Sequence, residues 1–160
     1  MKKLTLIAAM LGVAILTTFI YRVTHTDWIL FRKAETYFAK SQYSQSIPYY
    51  TELIDQGFET PTLLKHLGTA YMATGHFKKA LTVFEAFLEQ NPDKDTGLAE
   101  LANIYVILGQ PSKAVALYQA MVQDVPKDKA TRVLLARALS WSGRFEEAVL
   151  QYRKALGEEK

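Results

Sequence analysis

The chain has 160 residues, 49% of them hydrophobic, no cysteine and a formal net charge of +3. The missing cysteine rules out a lipid anchor through an N-terminal thiol and leaves no thiolate for catalysis or metal binding, while suiting an oxidising compartment. Of 19 Lys and Arg, Lys2, Lys3 and Arg22 precede residue 27, and the sixteen that follow face sixteen Asp and Glu, so the excess is an N-terminal flank and not a clustered basic face for nucleic acid.

The first element, residues 1–26, begins Met1-Lys2-Lys3 and then runs from Leu4 to Tyr21 without a charge. Eighteen residues make roughly 27 Å of helix, enough to span a bilayer. A cleavable signal peptide would end its apolar stretch in an Ala-x-Ala-like site. Ala14-Ile15-Leu16 and Thr18-Phe19-Ile20 are poor matches, Thr24-His25-Thr26 only an arguable one, so an uncleaved anchor is expected. The segment is apolar all round, which a core helix with one wet face would not be. Lys2, Lys3 and the terminal amine outweigh Arg22, so the positive-inside rule puts the N-terminus in the cytoplasm and the rest outside it. In a bacterium this is a single-pass inner-membrane protein with a periplasmic domain.

From residue 27 onward a pattern recurs every 34 residues. Ala34, Gly68, Ala102 and Ala136 fill one column; Tyr37, Tyr71, Tyr105 and Leu139 the next; then Ser41, Gly75, Gly109 and Gly143; then Ser46, Ala80, Ala114 and Ala148; then Tyr50, Phe84, Tyr118 and Tyr152. No insertion breaks the register. Small residues fit where two helices cross, the aromatic column fills the gap to the next unit, and the glycines suit a left-handed turn between helices. Thr60 reads as an N-cap, Pro61 and Pro111 as helix starts, and Pro48 as a residue of a first helical turn. Ser41 is the weak turn.

The period and columns resemble the tetratricopeptide repeat (TPR), whose pattern is Trp-x2-Leu-Gly-x2-Tyr, Ala-x3-Phe and Pro. Leu67-Gly68-x2-Tyr71, Ala80-x3-Phe84 and Pro92 match it outright, with Leu64 in the Trp slot and Pro126 closing the third unit. Repeats one and four diverge, with Phe58 and Lys160 in the proline slot. The resemblance implies an all-α fold: a TPR superhelix of four helix-turn-helix repeats, 27–60, 61–94, 95–128 and 129–160, preceded by one N-terminal transmembrane helix at about 4–21. The stretch from Ala136 to Ala148 also looks like repeats in the TPR portions of exopolysaccharide export proteins.

The chain shows no phosphate-binding glycine loop, no His-x3-His pair and no Gly-x-Ser-x-Gly, and His25, His66 and His76 are too scattered for a zinc site. Asp93 and Asp95 lack the glycine and distal glutamate of a calcium loop and read as a loop and helix cap. No enzyme activity, metal or cofactor is expected.

The resemblance implies instead a concave groove, lined by the first helix of each repeat, that takes a peptide or partner protein. The register projects Phe31, Glu35, Lys65, Thr69, Met72, Asn103, Val106, Arg137 and Trp141 onto it, with Lys65, Asn103 and Arg137 suited to carboxylates or backbone carbonyls. The carboxylate clamp of chaperone-binding TPR proteins is not matched, since Phe31, Glu35 and His66 stand in its slots. In the last helix Phe145, Val149, Tyr152 and Leu156 form an apolar edge expected to dock a partner or a second copy. These features point to a non-enzymatic adaptor that helps assemble an envelope complex such as an exopolysaccharide export or secretion system. The alternative is a chaperone-like periplasmic receptor for translocated polypeptides, as in cytochrome c maturation.

Overall fold

The computed structural model describes residues 26–90 and 94–158, together with Met10, Val13 and Thr17. The expected membrane segment, about residues 4–21, therefore lies outside the described residues but for those three, as do Pro92 and Asp93. Among the described residues no helix is long and apolar enough to cross a membrane.

Among the described residues eight helices follow one another: α1 (Thr26–Ala39), α2 (Tyr43–Asp55), α3 (Pro61–Ala73), α4 (Phe77–Gln90), α5 (Lys94–Ile107), α6 (Pro111–Asp124), α7 (Lys129–Trp141) and α8 (Phe145–Leu156). They fall into two compact units, residues 1–58 and 59–160. In the first, α1 packs on α2; in the second, α3 packs on α4, α5 on α6 and α7 on α8, with α4 against α5 and α6 against α7.

The 34-residue step reappears in the hydrogen bonds. The amides of Gln42, His76, Gln110 and Arg144 donate to the carbonyls of Tyr37, Tyr71, Tyr105 and Leu139 at 2.9, 2.8, 2.8 and 2.9 Å. The amides of Ser41, Gly75, Gly109 and Gly143 donate to Phe38, Met72, Val106 and Ser140. Each pair of bonds closes a first helix with a Schellman motif, which needs a left-handed residue at the second donor set. Gly75, Gly109 and Gly143 take φ of 76°, 71° and 79°, and Ser41 is held at 57° despite its Cβ.

The small and large columns are complementary as expected. Ala34, Ser46 and Tyr50 are buried in the first unit, and Gly68, Ala80 and Phe84 in the second. A cluster of Ala102, Ala114, Val115, Tyr118, Leu135, Ala138, Leu139 and Ala148 fills the space between α5, α6, α7 and α8. Thr60 caps α3 by accepting from the Leu63 amide at 3.2 Å, and Pro61 and Pro111 stand at helix starts. One expectation is corrected. Pro48 lies inside α2, which begins five residues earlier at Tyr43, so its missing N–H removes an intrahelical bond and not a terminal one. Tyr43 begins the helix because the turn at Ser41 and Gln42 ends there, as it does at 77, 111 and 145 in the later repeats.

Candidate partner interface

The projected groove residues all belong to first helices. In the first unit, the Phe31 ring stands edge-on to Tyr50 and Phe58, with centroids 6.5 and 6.2 Å away, and is half-buried. Glu35 accepts a 2.6 Å hydrogen bond from the Tyr50 hydroxyl. Burial first, and then the Glu35 carboxylate, push that phenol well above its ordinary range. Both residues thus spend surface on the fit between α1 and α2.

The second unit carries a run of polar groups across three successive first helices. Lys65, Asn103 and Arg137 are exposed on α3, α5 and α7. Thr69 and Met72 are half-buried, and the Thr69 hydroxyl donates to the Lys65 carbonyl of its own helix at 2.8 Å. Val106 packs partly buried against the α5–α8 cluster. Arg137 lies over the exposed Trp141 ring, its guanidinium carbon 5.1 Å from the centroid. At that distance the guanidinium cation is attracted by the negative face of the indole ring.

Two residues join these groups and were not singled out from sequence. Burial raises the Glu100 carboxyl above the usual carboxylate range, with the nearby Lys65 ammonium pulling it back. Burial likewise raises the Tyr118 phenol, opposed by Arg137 and reinforced by Glu100. Lys65, Glu100, Tyr118 and Arg137 are thereby electrostatic neighbours on α3, α5, α6 and α7. Tyr118 was visible only as a scaffold column, and Glu100 sits three residues before the projected Asn103, where spacing alone gave it no partner.

The α8 edge is open: Phe145, Val149, Tyr152 and Leu156 are exposed, while Ala148 and Ala155 are buried. A different surface, in the first unit, forms an open recess of 570 Å³ lined by Trp28, Arg32, Lys33, Tyr37, Lys40 and Tyr49, among others. Arg32 covers Trp28 and Lys33 covers Tyr49 at 4.8 and 5.7 Å, and Tyr37 stacks on Tyr49 at 5.6 Å. Among the described residues no three His, Cys, Asp or Glu side chains converge on a metal-sized site.

The fold has counterparts in solved structures. MamA AMB-1 is 26% identical over 82% of this chain and 72% of that chain, with a TM-score of 0.69. MamA MSR-1 is 25% identical over 83% and 76%, with a TM-score of 0.67. MamA from Desulfovibrio magneticus RS-1, at 20% identity and a TM-score of 0.69, shares the fold. No curated protein matches the chain. Tetratricopeptide repeat patterns match residues 31–94, 65–129 and 105–159. The chain belongs to the tetratricopeptide repeat family.

Proposed function

We propose that this chain is a membrane-anchored adaptor whose second unit holds a peptide segment of a partner protein through the inner faces of α3, α5 and α7. As a tetratricopeptide repeat chain it is a protein-interaction scaffold. The observation that carries the finer reading is that Lys65, Asn103 and Arg137 are exposed on three successive first helices, with Arg137 over the exposed Trp141 ring. Two outward cations, an amide and an open indole suit an extended segment that offers carboxylates or carbonyls together with one apolar side chain. The anchor rests on the uncharged stretch from Leu4 to Tyr21, and its orientation on Lys2 and Lys3 against Arg22. In this reading the repeats stand close to a bacterial inner membrane on its periplasmic side and help assemble an envelope complex.

Two measurements test the proposal. The cysteine-free chain accepts Gln110→Cys in an exposed turn, and labelling by a membrane-impermeant maleimide in spheroplasts is expected; labelling only after lysis would put the repeats in the cytoplasm. A photo-crosslinking residue at Asn103 should give one discrete partner adduct that Arg137→Glu removes. A broad smear of adducts would favour the chaperone-like receptor, and no adduct at all would remove the groove from the proposal.

A further inference from the structure

In the third repeat Val115 and Tyr118 are 1% and 3% exposed because α7 covers them, whereas their equivalents Val149 and Tyr152 are 50% and 37% exposed. Phe145 and Leu156 extend the same stripe at 66% and 70%. The stripe is symmetric about a point between Leu150 and Gln151: Phe145 and Leu156 lie equally far from it, and so do Val149 and Tyr152. At about 100° per residue, Glu146 and Arg153 fall together on one edge of the stripe, while the buried Ala148 and Ala155 mark the other.

We infer that two copies pair through α8, antiparallel about a two-fold axis at that point. Phe145 then meets the second copy's Leu156, and Val149 meets its Tyr152. Residues on the same edge of two antiparallel helices face each other, so Glu146 of each copy lies beside Arg153 of the other. A parallel pair would instead set acidic starts against acidic starts. Each helix begins with Glu146 and Glu147 and ends with Arg153 and Lys154, so antiparallel pairing also opposes the helix dipoles. Glu147 contributes less, being held at 2.7 Å by Arg144, the residue before the helix. Such an interface is isologous and closes at two copies without propagating into fibres.

The absence of cysteine makes the register directly readable in the full chain. Two Phe145 positions in the antiparallel pair are offset by roughly 16 Å along the helix, beyond the reach of a disulfide, whereas Phe145 and Leu156 adjoin. Phe145→Cys alone and Leu156→Cys alone should therefore stay uncrosslinked under oxidation, and a mixture of the two should give a mixed dimer. Glu146→Lys in both chains should lower that yield about tenfold, and adding Arg153→Glu to both should restore it. Because all four positions are exposed, these variants keep the fold. Lys65 and Arg137 variants should leave the crosslink unchanged, which separates this pairing from the groove. Crosslinking of Phe145→Cys with itself, a mixture that fails to crosslink, or indifference to Glu146→Lys would each overturn the inference.

Discussion

The Tyr50 hydroxyl donates to a Glu35 carboxylate oxygen at 2.6 Å from within the buried face of α2, tying the second helix of the first unit to the side chain expected to line its groove. Tyr50→Phe should cost roughly 1.5 kcal/mol in denaturant unfolding, the worth of a hydrogen bond to a charged group. The pH dependence has a definite sign. A phenol raised in the folded state holds its proton longer there than in the unfolded chain, so its stabilisation is complete below the ordinary value of 10.0 and is lost as pH rises above it. Stability of the parent chain should fall above pH 10, and Tyr50→Phe should flatten that part of the profile.

Gly68 packs so close to Phe84 that a Cβ would lie 2.7 Å from the ring carbon Cε2. Gly68→Ala gains helix propensity but forces the ring of a fully enclosed aromatic to shift, for a net loss of about 1–2 kcal/mol. Gly97→Ala should cost less, because its nearest obstacle is the flexible tip of Leu88 at 2.5 Å. Thermal unfolding of the two variants side by side checks the order.

Ser41 occupies the left-handed turn position that glycine fills in the three later repeats. Ser41→Gly relieves the Cβ clash and loses part of that gain to the freer unfolded chain, leaving a stabilisation of about 0.5–1 kcal/mol. A rise in the unfolding midpoint is the expected result.

Glu100 is raised by burial, so its contribution is most favourable below the ordinary 4.5 and is lost as pH rises through the raised value. Glu100→Gln should therefore raise the thermal midpoint at pH 7, and the advantage should vanish near pH 4. If the advantage persisted at acid pH, removal of the buried charge would not be its cause.

The projection of groove residues illustrates where sequence stops. Asn103 and Arg137 share one 34-residue column and Lys65 stands in the column one helical turn earlier, and all three are exposed on α3, α5 and α7. Phe31 falls in the same register as Lys65, yet its ring is engaged by Tyr50 and Phe58. A periodic pattern gives the direction of a side chain but not which neighbours reach it. Pro48 read as a first-turn residue from proline's preference for helix starts, whereas the 34-residue step back from Pro111 puts that start at Tyr43, five residues earlier.

What the sequence determined by itself was the 34-residue register, and with it the helix pairs, the crossing columns, the glycine turns and the family. These follow from local rules, in which a small residue, a turn former or an aromatic at a fixed step has one structural use. Only the tertiary structure decided which side chains remain available. Glu35 is tied to Tyr50, Glu100 interacts with Lys65 and Tyr118, Tyr118 with Arg137, and Gly97 packs against Leu88 and Phe87. Those outcomes depend on contacts between different helices, where burial and charge act through space and leave no periodic trace in the sequence.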